Sequence, residues 1–431
     1  MMGQLSSCDY LDIVPDERAQ ESDTWKTEGA VRGYLYSCYG YLPANRTFGN
    51  SYWLAEELTA VTKELFTTFK YGYYSPVSLG FTSNTWSTIW NGIHQCYMFQ
   101  ESLKQVSNEY VTDEMKKQYL AESNFLIAYY HFLSMRSYGP TMIIRSVIDL
   151  ETPISGFPER SSIDEVVAFI NEKLDEAMSE GGLPTTWSGK DYGRATRLAA
   201  LALKSRVYLY AASPLYNGNT EMYADFRSPL DGRQLIAQEK SQAKWEISAT
   251  QTKYAIDEVE KAKFHLYHDA DAGEPSDAKP GLPNKAQRRL RYTNIDNQTG
   301  NNPEIIWADT RNDDYYGIQR RCPPRQTLGG KFAGISMTNC PTLQTIEAFY
   351  TKNGLPINKD KTFDYDERYE YISAPENCDG NNYEDLVKYA NFTPSSDKVM
   401  RLCTDREPRF YAWTTYHNAV SYTHLTLPTN S

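Results

Sequence analysis

Residues 119–140 read Y-L-A-E-S-N-F-L-I-A-Y-Y-H-F-L-S-M-R-S-Y-G-P, and their spacing decides what kind of fold the chain adopts. Leu120, Phe125, Leu126, Tyr129, Phe132 and Leu133 recur three, four and seven apart, which places them on one face of a 3.6-residue helix. Thr112 is the expected N-cap, and Asp113 and Glu114 then lie against the positive end of the helix dipole. Gly139 and Pro140 form the stop, since glycine accepts a left-handed cap and proline cannot continue a helix. Taken alone, the apolar face describes an amphipathic core helix.

Working outward, the same helical texture repeats. Helices are predicted over residues 23–42, 53–65 and 86–106, the last with Trp90, Ile93, Cys96, Phe99 and Leu103 on one face. Ser162 and Glu165 have the spacing of a capping box ahead of Val166, Ile170, Leu174 and Ala177. Gly193-Arg194-Ala195-Thr196 leads into an Ala-rich helix over 197–213, and a further helix is predicted over 243–267. Small residues beside large ones let helices approach closely, as in stacked helix pairs. No strict 34-residue period runs through them, yet the pairing is of tetratricopeptide type.

Composition narrows the function. A chain of 431 residues can bury a large core. Its net charge of −11 argues against a nucleic-acid partner, because phosphate binding needs a basic surface. The 34 tyrosines and 8 tryptophans are the anomaly. Such rings fill cores, and they also suit a wet ligand with an apolar face, such as a sugar ring. Cysteines 8, 38, 96, 322, 340, 378 and 403 show no C-x-x-C spacing, and the odd number leaves one without an intrachain partner. His265 and His268 are two ligands at most, so no zinc site is expected. No apolar run is long enough to span a membrane. No G-x-S-x-G, H-E-x-x-H or phosphate loop is present, so no catalytic residue and no cofactor are assigned.

Residues 66–86, FTTFKYGYYSPVSLGFTSNTW, break the helical pattern at Gly72, Pro76 and Gly80 and crowd seven aromatic rings together. A segment this aromatic must bury its rings or use them. With the polar aromatic stretch 307–316 it supplies the ligand candidates: Tyr71, Tyr73, Tyr74, Trp86, Trp90, Asn91, Tyr315 and Tyr316. Trp90 also belongs to the apolar face of its helix. Asn91 would offer an amide donor and acceptor to sugar hydroxyls.

Several short matches in fixed order carry a family resemblance. They are Ala121-Glu122, Tyr129-Tyr130, Gly139-Pro140, Arg160-Ser161-Ser162, Leu174-Asp175-Glu176-Ala177, Leu183-Pro184 and Gly193-Arg194-Ala195-Thr196. Further on come Asn302-Pro303-Glu304-Ile305-Ile306, Pro341-Thr342-Leu343 through Phe349 with Asn353-Gly354, and Asp405-Arg406-Glu407-Pro408-Arg409-Phe410. Together they resemble the SusD/RagB family of outer-membrane glycan-binding lipoproteins. Glu159 stands where the family places Pro before Arg, and Asp405 and Glu407 replace its Asn and Asp. Leu5-Ser6-Ser7-Cys8 has the form of a lipobox, which makes residues 1–7 a signal remnant and Cys8 the lipidation site.

The resemblance implies a mainly α fold: a tetratricopeptide-like helix-pair scaffold, long irregular loops and a few short strands at a ligand face. It implies one SusD-like domain over 8–419, with the strand of the Asn-x-Glu-Ile-Ile type at 302–306. It implies a lipid-anchored protein on the outer-membrane surface that binds an oligosaccharide or other nutrient. Its partner would be a SusC-like TonB-dependent transporter, over which it closes as a lid. A peptide-binding lid, a secreted glycoside hydrolase and a tetratricopeptide interaction scaffold are the alternatives. Residues 420–431 read as a translated sequencing-adapter end, and the family's C-terminal helical segment is expected to be missing.

Overall fold

A computed structural model describes residues 25–43, 57–60, 75, 82–149, 151–268, 286–287, 289–290, 293, 302–311, 339–373 and 398–416. The principal helices are α1 (Glu28–Tyr39), α2 (Thr82–Leu103), α3 (Asp113–Tyr138), α4 (Ile163–Ala177), α5 (Arg197–Ala212), α6 (Gln242–Lys261), α7 (Leu343–Ala348) and α8 (Pro408–Trp413). The strands are β1 (Leu58–Ala60), β2 (Thr141–Met142), β3 (Arg160–Ser161), β4 (Asn339–Pro341), β5 (Tyr371–Ser373) and β6 (Lys398–Met400). Among the described residues they pair only two by two, antiparallel: β1 with β4, β2 with β3 and β5 with β6. The fold is therefore mainly α. No described helix is long and apolar enough to cross a membrane.

The described residues fall into two compact units. The first holds α1 to α6. Neighbours in sequence pack as neighbours in space: α3 on α4, α4 on α5 and α5 on α6, with α1 also against α3. The local signals behave as their chemistry requires. Thr112 Oγ1 accepts from Met115 N at 3.3 Å, and Gly139 ends α3 at φ 71°. The Ser162–Glu165 capping box forms in full, and Thr196 caps α5.

The central helix departs from its amphipathic reading. From Ala121 to Met135 nearly every residue of α3 is buried, including Glu122, Ser123, His131 and Ser134 at 0 % exposure. Buried polar groups need partners, and each has one. Ser123 Oγ donates to Cys96 O at 3.2 Å, and Ser134 and Thr141 share a 2.7 Å hydroxyl contact. Glu122 receives Arg194 Nε at 3.2 Å and Nη2 at 2.5 Å, and the Tyr39 hydroxyl at 2.6 Å. Tyr39 in turn accepts from Ala195 N at 2.9 Å. Burial, with the carboxylate beside it, raises the Tyr39 pKa well above its usual value. The Arg194 guanidinium also stacks 4.0 Å from the Trp187 ring centre. The Ala-Glu and Gly-Arg-Ala-Thr motifs thus meet in one buried charge pair that ties α3 to the start of α5.

The second unit is built around Arg406, 2 % exposed, which donates to the carbonyls of Leu402, Ile346 and Phe349 at 2.6–2.7 Å. Its burial lowers its pKa. Val399, Cys403, Phe410 and Tyr411 pack beside it. The Asp-Arg-Glu-Pro-Arg-Phe motif is therefore a structural knot. Thr342 caps α7, and Gly354 takes the positive φ of 74° its turn needs. Two local expectations fail here. Residues 58–60, read as helical, are a strand paired with 339–341, a partner some 280 residues away that no local period reveals. Residues 302–306, expected as a strand, form a turn, and Asn302 Oδ1 accepts from Glu304 N at 3.1 Å in a local side-chain turn that competes with strand pairing.

Candidate ligand-binding site

A cavity of about 480 Å³ opens in the first unit between α2 and the excursion that joins β2 to β3. From α2 it takes Trp86, Ser87, Trp90, Asn91, Ile93 and His94. From the excursion it takes Met142, Ile144, Ser146, Ile148, Asp149 and Phe157. The size and the mix of rings with a few polar groups are those of a small-ligand pocket.

The helical spacing explains the α2 side. Trp86, Trp90 and Ile93 lie four and three apart, so they share a face, and Asn91 and His94 flank it at the exposed edge. Gly92 lets α2 approach α3: a β-carbon there would stand 2.7 Å from Tyr130 Cζ. Tyr130 cannot swing aside, because its hydroxyl donates to Cys38 O at 2.6 Å.

The other wall is an irregular stretch held by side chains from below. Ile144 N donates to His131 Nε2 at 3.3 Å, and Ile144 O accepts from Tyr97 Oη at 2.7 Å. His131 Nδ1 lies 2.7 Å from Ile127 O, so Nδ1 carries the proton and Nε2 is the acceptor. Burial holds the His131 pKa down at about 4, which keeps the ring neutral in this role. Burial likewise raises the Tyr97 pKa, so its hydroxyl stays a donor. Farther along, Asp149 Oδ1 accepts from Glu151 N at 2.8 Å and Asp149 O accepts from Thr152 N at 3.0 Å, a side-chain turn that fixes the carboxylate at the rim.

The two tryptophans form a corner. Their ring centres are 5.3 Å apart and their planes cross at 64°. Trp86 meets Tyr138 nearly perpendicular at 4.9 Å, and Trp90 meets His131 nearly perpendicular at 6.1 Å. Rings at that angle cannot both lie flat on one face of a sugar. Trp90 serves the core and the cavity together. Its Nε1 is buried and has no hydrogen-bond partner among the described residues. An orphaned buried donor costs about 1–3 kcal/mol.

Of the sequence candidates, Trp86, Trp90 and Asn91 are brought together on this cavity. Tyr71, Tyr73, Tyr74, Tyr315, Tyr316 and Cys8 lie outside the described residues. Sequence reasoning misses His94, which lies on α2 outside the aromatic face, and Ser146, Asp149 and Phe157, because the 143–158 segment has no period to read. His265 and His268 stack on each other at 5.3 Å beyond α6, both exposed, and no cluster of metal-ligating side chains occurs among the described residues.

Comparison with known proteins gives a consistent picture. A family model described as "Starch-binding associating with outer membrane" matches residues 9–209, and one described as "SusD family" matches residues 303–427. The solved structure of BT4246 superposes with a TM-score of 0.66 at 30% identity, covering 90% of this chain and 64% of that one. A SusD-like protein (BF3747) from Bacteroides fragilis NCTC 9343 superposes with a TM-score of 0.57 at 20% identity, covering 91% of this chain and 61% of that one. The second likeness speaks to the fold alone. This chain spans less than two thirds of the length of either. No curated protein matches it.

Proposed function

We propose that this chain, a member of the SusD/RagB family, binds oligosaccharide in the cavity between α2 and the β2–β3 excursion. It does so as a surface lipoprotein anchored through Cys8, and it hands the ligand to a TonB-dependent outer-membrane transporter as its lid. The observation that carries the binding role is the Trp86–Trp90 corner on the cavity wall. One ring presents a face to the C–H side of a sugar. Asn91 supplies an amide that can donate and accept at once. Binding, not turnover, is the role: the protein's task is to hold the sugar with groups already in place.

Calorimetric titration with a panel of oligosaccharides tests this. Trp86→Ala should weaken the best ligand at least about tenfold through loss of ring contact. Trp90→Phe shrinks the second ring of the corner and should cost about fivefold. If no saccharide binds, or both variants bind as the parent does, the cavity is not the site. Binding of peptides in place of sugars points to the peptide-lid alternative. Co-isolation of the lipidated chain with a TonB-dependent barrel from outer membranes tests the lid role, which fails if the chain emerges alone.

A further inference from the structure

We infer that the cavity selects uncharged saccharides and rejects those bearing carboxylate or sulfate groups, with Asp149 as the residue that sets this choice. The inference rests on the reading of the cavity as a saccharide site. Asp149 is the one carboxylate among the described lining residues, and none of those residues is Lys or Arg. Its turn holds it at the rim, Oδ1 on Glu151 N and its carbonyl on Thr152 N. Arg145, close by in sequence, is committed elsewhere. Its guanidinium makes a two-pronged contact with Glu172 at 2.7 and 3.1 Å and lies 4.8 Å over the Phe169 ring. Glu172 therefore matches its charge.

Hydrogen-bond complementarity points the same way. An ionised carboxylate only accepts. A sugar hydroxyl can donate to Asp149. A uronate or sulfate group only accepts, and it would set like charge against Asp149. The net charge of −11 adds a repulsion of the same sign at long range.

The test pairs neutral gluco-, xylo- and manno-hexasaccharides with oligogalacturonate, oligoguluronate and a sulfated oligosaccharide. Calorimetry is run on the full chain at about pH 8, where imidazoles are neutral. The acidic probes should bind roughly fivefold or more weakly than the best neutral one, the size expected for like charges about 4 Å apart in a water-like medium. Asp149→Asn keeps the turn acceptor and removes the charge, so it should raise affinity for the acidic probes by a similar factor. High salt should narrow the gap more in the parent chain than in the variant. An acidic probe that binds the parent as tightly as any neutral one overturns the inference and leaves the site standing. So does a gap that neither Asp149→Asn nor salt alters. Binding of no saccharide ends both.

Discussion

Acid should weaken the first unit through a buried ring, His131, as well as through paired carboxylates such as Glu172. The ring is fully buried and neutral, with Nδ1–H on Ile127 O and Nε2 accepting from Ile144 N. Its pKa is about 4 in the folded chain, against an ordinary value of 6.5. The cause is burial, which penalises the imidazolium, and Lys173 and Arg145 add repulsion of the same direction. Between those two values the unfolded chain binds a proton that the folded chain refuses. Stability therefore rises with pH there and is lost as pH falls from about 6.5 towards 4. Protonation of His131 should remove about 2 kcal/mol between pH 7 and pH 5, and about 3 kcal/mol over the whole window. Urea unfolding at a series of pH values measures this, followed by tryptophan fluorescence and circular dichroism. The two transitions must coincide for one free energy to be defined. His131→Gln cannot titrate. It should be less stable at pH 7 by roughly 1–3 kcal/mol, since Ile144 N loses its acceptor, but between pH 7 and pH 5 it should lose about 2 kcal/mol less than the parent. Parallel losses in parent and variant between pH 7 and pH 5 would refute the assignment of a neutral buried imidazole.

Substitutions at two further positions, Arg194 and Gly92, probe the packing against the same helix. Arg194→Ala leaves Glu122 at 0 % exposure without the guanidinium that balances its charge, and should cost about 3–5 kcal/mol in denaturant titration. Arg194→Lys keeps a charge but loses the fork and the Trp187 stack, so it should fall between; equal stability of Ala and Lys variants would argue against the pair. Gly92→Ala gains about 1 kcal/mol of helix propensity but drives a methyl to 2.7 Å from the fixed Tyr130 ring. Overpacking of about 1–3 kcal/mol should win, giving a lower melting temperature; a raised one would show that the α2–α3 contact yields easily.

How much of the site was legible in sequence follows the same division. Trp86, Trp90 and Asn91 were visible because an aromatic-rich segment runs into a helix, where spacing fixes a shared face. The opposite wall was not visible. Residues 143–158 carry no period, and their shape is imposed by Tyr97 and His131, 47 and 13 residues from the Ile144 backbone they hold. The charged rim escaped for the same reason: an Asp in a loop has no local mark of where it points. Beta pairing of 58–60 with 339–341 was misread because long-range register leaves no trace in a three-residue strand.

For the fold, the sequence by itself determined the principal helices of the first unit and the caps that act on their ends. Thr112, Gly139, the Ser162–Glu165 box and Thr196 act on backbone groups within four residues, so local chemistry suffices. The motif set that identified the family was equally local in form. Only the tertiary structure decided what residues 119–140 are for. The helix that begins as an amphipathic pattern is buried on every side, because its polar residues find partners on segments far away in the chain. Glu122 meets Arg194, and His131 meets Ile144 and stands behind Trp90. A side chain's worth depends on which groups surround it, and that is settled by packing, which a one-dimensional pattern does not carry.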